Sequence, residues 1–142
     1  MLIDKRKMIL FFVTALIIIL FFYMRGDYSI VLDLQKDDSI TVSGPQETFF
    51  SVRYENLETI ALLDDFDRGE CTDGGKKYNH SFGTWNCEIF GEYTLIAMSK
   101  VNKHIAITDK GGHTLVFNYE SEEVTENLYG LILDLIEQRG NN

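Results

Sequence analysis

Residues 8 to 24, MILFFVTALIIILFFYM, run for 17 positions without a charge. Lys5-Arg6-Lys7 stands before the run and Arg25 closes it. A helix of that composition is apolar on every face, which a small water-exposed domain does not tolerate at its terminus. Its length is at the short end of the roughly 17–25 residues that cross a bilayer. The run therefore predicts a transmembrane helix over 8–24. A cleaved signal peptide is the competing reading. It fails because the run is long and ends Phe22-Tyr23-Met24-Arg25, with no small residues before a cleavage point. No cysteine follows closely enough to take a lipid, so the segment is expected to be an uncleaved signal anchor. Three basic residues precede the run and one follows it. The positive-inside rule then puts residues 1–7 in the cytoplasm and everything from residue 25 onward outside the cell membrane.

That outer part is acidic. After Met24 there are 10 Lys and Arg against 21 Asp and Glu, a net charge of −11. Such a surface repels nucleic acid and anionic lipid headgroups at long range. The longest basic run there is Lys76-Lys77, so neither partner is expected. The two cysteines, Cys71 and Cys87, enclose 15 residues. In an oxidising compartment a disulfide closing that loop would contribute about 3 kcal/mol; in the cytoplasm both would be thiols.

From residue 28 the pattern alternates with a period of two, the mark of half-buried strands. Tyr28, Ile30, Leu32 and Leu34 share one face. Ile40 and Val42 share another, as do Phe50, Val52 and Tyr54. Ile60 and Leu62 alternate with Ala61 and Leu63. Further strands are expected in TWNCEIF, EYTLIAMS, KHIAITD and HTLVFNY, with a turn at Asp109-Lys110-Gly111-Gly112. At Ser121 the pattern changes. Glu122 and Glu123 suit a helix start. Val124, Leu128, Leu131, Leu135, Ile132 and Ile136 then give an apolar stripe, and Arg139-Gly140 marks a stop. A helix is expected over about 122–138.

The order of span, short strands and closing helix resembles bacterial pleckstrin-homology-like domains over residues 28–138. The residues that carry this are Ile105 and Ile107 of an I-x-I strand, Asn118 ending the next strand, and Thr125, Leu128 and Tyr129 in a T-x-x-L-Y pattern on the helix. The resemblance implies a mainly β fold of seven or eight antiparallel strands. These would form two near-orthogonal sheets in a partly open barrel capped by the C-terminal helix. It brings no catalytic residues and no cofactor. Lipid recognition by such domains uses basic residues at the first hairpin, which here reads Lys36-Asp37-Asp38, so that property does not carry over. The expected organisation is a basic N-terminus (1–7), a span (8–24), a linker (25–27) and one domain (28–139).

Candidate sites compete with plainer readings. Asp65, Asp67 and Glu70 near Gly69 are weak metal candidates, because a calcium loop needs more ligands at fixed positions. A solvated acidic loop fits them better. His80, beside Ser81 and in one stretch with Asp73, lacks any nucleophile motif around it. His104 and His113 flank a strand–turn–strand and are expected to face solvent. Phe82, Trp85, Phe90 and Tyr93 suit the core of a small sheet. The alternative is an interaction surface centred on Trp85 and Tyr93. The leading expectation is a non-catalytic single-pass membrane protein that displays its domain for protein or peptide contact. Its rivals are a structural subunit acting through the span, and a metal-binding or hydrolytic protein built on residues 64–87.

Overall fold

The computed structural model describes residues 5–25 and 29–141, without the side chains of residues 23–25. Tyr28 and Asp27 lie outside the described residues. The element order is α1 (Lys5–Arg25), β1 (Val31–Asp33), β2 (Ser39–Ser43), β3 (Phe49–Arg53), β4 (Leu57–Leu63), β5 (Glu70–Lys77), β6 (His80–Cys87), β7 (Gly91–Met98), β8 (His104–Asp109), β9 (Thr114–Phe117) and α2 (Glu122–Gly140). The described chain is thus mainly β with one helix at each end.

Apolar side chains of α1 from Met8 to Phe22 are exposed around the whole helix; Phe11 and Phe22 are 71% and 67% accessible. The one hydroxyl within that stretch, Thr14, donates back to the Leu10 carbonyl at 2.8 Å, so it needs no outside partner. Among the described residues no helix is long and apolar enough to cross a membrane.

The strands form two open sheets, one of three strands in the order β1-β2-β3 and one of six in the order β4-β8-β9-β7-β6-β5. Neither sheet closes on itself. Two expectations are corrected here. The described residues hold nine strands rather than seven or eight. They are also not all antiparallel: β9 lies parallel to β7, with Leu95 opposite Val116. The cause is strand order. β8 pairs with β9 by the Asp109–Gly112 turn but lies one strand further from β7, so β9 fills the slot between its two predecessors.

Alternation is matched by burial on the first core. Ile30, Ile40, Val42 and Val52 of the small sheet meet Ile96, Ile105, Ile107, Leu115 and Phe117 of the large one. Ile132 of α2 joins them at 0% exposure, flanked by Leu128, Tyr129 and Ile136. The helix starts where Ser121 Oγ accepts the Val124 N–H at 3.1 Å, an N-cap that satisfies one free amide. Its far end is clasped to the small sheet. The Arg139 guanidinium stacks 3.9 Å from the Tyr54 ring and pairs with Asp38 at 2.5 Å. Asp38 of the first hairpin is thereby engaged in an intramolecular ion pair at the surface.

The large sheet also buries its second face. Trp85, Tyr93, Leu95, Ala97, Ala106 and Val116 form a separate core, with Leu63, Phe66 and Phe90 packed on it. This is why β9 is buried at every position rather than at alternate ones. The cover comes from the connection between β4 and β5. Those strands are the two opposite edges of the sheet, so residues 64–69 must cross its face to join them.

Candidate functional site

The stretch 71–87 is a β-hairpin with one bulge near Cys71, not a long loop. Glu70 pairs with Asn86, Cys71 with Trp85 and Lys77 with His80, and Tyr78 and Asn79 make the turn with φ of 47° and 66°. Both cysteines are free thiols in the structure. Cys71 is exposed and Cys87 is buried, where its sulfur accepts the Phe90 N–H at 3.4 Å. Under native conditions a maleimide is expected to label Cys71 at least about tenfold faster than Cys87, because attack needs an accessible thiolate. Mass spectrometry of the labelled peptides checks this, and equal rates would contradict the buried placement.

At the middle of the hairpin Gly74 and Gly83 face each other, both with positive φ, 121° and 101°. Bare backbone there floors a cleft of about 300 Å³ beside Gln46, Phe49 and Thr94.

The expected acidic loop is the crossing segment. Asp65 and Asp67 are exposed on it, and Glu70 opens β5, also exposed. Asp67 Oδ1 accepts the Gly69 N–H at 3.0 Å. Among the described residues no three His, Cys, Asp or Glu side chains converge as a metal-ligand set. His80 and Ser81 do not act together. As neighbours on one strand they point to opposite sides. His80 Nδ1 lies 2.9 Å from the Tyr78 carbonyl, while Ser81 is fully buried. Asp73 pairs with Thr84, four positions along β6 from His80.

Trp85 and Tyr93, offered as an interaction surface, are core residues at 1% and 3% exposure. Trp85 Nε1 donates to the Phe82 carbonyl at 3.0 Å, and Lys76 Nζ lies 5.3 Å from the ring centre. Phe66 packs edge-on against Tyr93 and His104, at 5.8 and 5.7 Å between ring centres. Burial pushes the Tyr93 phenol far up, so it remains a donor.

Of the two histidines expected to face solvent, His104 is corrected. It is 2% exposed, not solvent-facing, whereas His113 is exposed beside Asp109. Ile105 and Ile107 point into the first core, so His104 and Ala106 point the other way. That side is the second core.

The polar group that sequence reasoning missed is Arg68. Its Nε and Nη2 donate to His104 Nε2 at 3.2 and 2.9 Å, Nη1 to Ser81 Oγ at 3.2 Å, and Nη2 to the Met98 carbonyl at 3.0 Å. Tyr93 Oη donates to the Arg68 carbonyl at 2.7 Å. One side chain thus ties the crossing segment to β6, β7 and β8. For Nε2 to accept, His104 must be neutral with its proton on Nδ1, which faces the Asn102 carbonyl at 3.0 Å. Burial first, and the Arg68 charge second, lower its pKa from 6.5 to about 4. Burial also draws the Arg68 pKa down. The group borders a cleft of about 320 Å³ that Asp65, Asp67, Lys76 and Ser99 also line. The arrangement holds segment 64–69 against the face of the large sheet. It presents no nucleophile paired with a base.

Comparison with known proteins finds no matching family, no similar curated protein and no similar solved structure.

Proposed function

We propose that this chain is a non-catalytic, single-pass membrane protein whose β domain binds an extended segment of a partner protein. Residues 8–24 form the span, the N-terminus is cytoplasmic, and the domain resembling pleckstrin-homology-like domains lies outside. The observation that carries the anchor is the all-round exposure of apolar side chains on α1. At 1.5 Å per residue the uncharged 17-residue run covers roughly 26 Å, and flanking Lys and Arg side chains reach the interfaces of a core about 30 Å thick.

Open sheet edges support the partner part. Strand edges present unpaired backbone groups that accept another strand. The two edges of the large sheet differ. β5 is exposed, bulged near Cys71 and charged at Glu70, Asp73, Lys76 and Lys77, which discourages pairing. β4, LETIALL, carries one charge and is the more receptive edge. Asp38 and Arg139 are engaged with each other, and the first hairpin carries no basic cluster, which argues against an anionic lipid headgroup as the ligand.

The test places a photo-crosslinking amino acid at Thr59 on β4 in native membranes, with the same probe at Thr72 on β5. A discrete adduct from Thr59, absent at Thr72, is expected. No adduct at either position, or release of the protein by alkaline carbonate, would sink the proposal.

A further inference from the structure

We propose that the Arg68–His104 contact is an acid-sensitive latch: protonating His104 removes the acceptor that Arg68 grips, and segment 64–69 lifts off the second face of the large sheet. The geometry leaves no second arrangement for a protonated ring. Nδ1 is already directed at the Asn102 carbonyl, 3.0 Å away, so the added proton must go to Nε2. Nε2 is the atom that two Arg68 nitrogens approach at 2.9 and 3.2 Å. Two cations would then face each other in a buried site, with no acceptor between them.

The other charged groups nearby do not cancel this. On the crossing segment, Asp65 and Asp67 line the same cleft but are exposed, and Asp67 Oδ1 is turned to the Gly69 N–H. From β5, Lys76 sits over Trp85 and adds positive charge. From β7 comes the Tyr93 phenol, held neutral. Lys103, next in the chain, pairs with Asp64 and Glu126 at 3.5 and 3.1 Å. Release of Arg68 costs the segment its side-chain ties to β6, β7 and β8 together, leaving the exposed Lys103–Asp64 ion pair at its start, the Tyr93–Arg68 carbonyl bond and Phe66 packing. The surface uncovered is apolar, since Trp85, Leu95 and Val116 lie beneath.

The sign follows from the pKa lowered from 6.5 to about 4. Above pH 6.5 the ring is neutral whether the segment is closed or open, and the latch is whole. As pH falls from 6.5 toward 4 the open form binds a proton that the closed form refuses, so closure weakens. Opening should rise roughly 50-fold between pH 7 and pH 4.5 by linkage.

Hydroxyl-radical footprinting of the full chain in lipid nanodiscs, corrected for radical yield at each pH, measures it through the protection of the half-buried Phe66 side chain. Phe66 is expected to lose protection over that range while the side chains of β8 and β9 stay protected. His104→Gln offers an amide oxygen that does not titrate. It should keep protection at pH 7 and flatten the pH dependence. Should that variant not fold, imidazole NMR of His104 in the unaltered chain decides, because its titration must coincide with opening of 64–69. The proposal is overturned by unchanged protection of Phe66, by simultaneous loss of β8 and β9, or by a His104 titration without opening.

Discussion

Gly83→Ala is expected to destroy the native β5–β6 register, at a cost of more than about 4 kcal/mol. A Cβ there would sit 2.1 Å from the Asp73 carbonyl oxygen and 2.7 Å from the Gly74 Cα. Both are backbone atoms of the partner strand, so no side-chain rotation relieves the clash. The φ of 101° adds strain for any L side chain. Relief requires the strands to separate, which breaks ladder bonds in the middle of the hairpin and moves β6 away from β7. Gly75, which follows Gly74 on the partner strand, is the control. A methyl added there would have nothing within 4 Å, and the position needs no positive φ, so Gly75→Ala should change stability by less than about 0.5 kcal/mol. Urea unfolding of the full chain in detergent, followed by Trp85 fluorescence, compares the two. Trp85 is the sole tryptophan and lies two residues beyond Gly83, so it reports the hairpin directly. A Gly83→Ala protein within about 1 kcal/mol of the parent would refute the argument.

Asn118→Ala should cost roughly 3–5 kcal/mol, because it leaves buried backbone groups without partners, each worth about 1–3 kcal/mol. Asn118 is fully buried at the end of β9. Its Oδ1 accepts the Met98 N–H at 2.6 Å, and its Nδ2 donates to the Met98 and Val101 carbonyls at 3.2 and 3.1 Å. These groups belong to the connection from β7 to β8, which has to pass the end of β9 to reach the far side. A loop arching over a strand end has no ladder of its own, so the Asn118 side chain adds its bonds to the few backbone ones, Ser99 N–H to the Asn79 carbonyl and Val101 N–H to the Met98 carbonyl. Arg68 still donates to the Met98 carbonyl, so the Met98 N–H and the Val101 carbonyl are the groups orphaned. Asn118→Asp is expected to be no better at neutral pH, since a carboxylate would face two carbonyl oxygens. Thermal unfolding of both variants, with exchange of amides 99–103, tests this. Parent-like stability for either substitution would show that the arch is held by something else.

Asn118 also shows what kind of information the sequence held. Its place in the resemblance to pleckstrin-homology-like domains came without a mechanism. The structure supplies one, because the parallel β7–β9 pair requires a bridged arch. Thr125 of the same pattern is likewise buried; its hydroxyl shares its one proton between the Tyr119 and Ser121 carbonyls, 3.0 and 2.7 Å away, and its oxygen accepts the Tyr119 N–H at 3.1 Å, fixing the entry to α2.

The missed site has a physical reason. Arg68 lies in LLDDFDRGE, where surrounding carboxylates suggest a solvated loop. Its burial arises from residues 36 positions away at His104 and 30 away at Met98. Local pattern carries no trace of such pairings. The nearest available signal was His104 itself, alternating with Ile105 and Ile107 beside Ala106 on a face without charges.

By itself the sequence determined which residues share a side. Ile40 with Val42, Ile105 with Ile107, and the α2 stripe ending at Arg139 all follow from periods of two and 3.6, which are properties of the backbone. It equally determined that residues 8–24 form an uncharged apolar run. Only the tertiary structure decided whether a side meets water. That depends on the six-stranded order, which places β4 and β5 at opposite edges and drives residues 64–69 across the face between them. Strand order is set by long-range pairing, and the same alternating strands are compatible with several orders. Burial of His104, Trp85 and Tyr93 follows from that crossing.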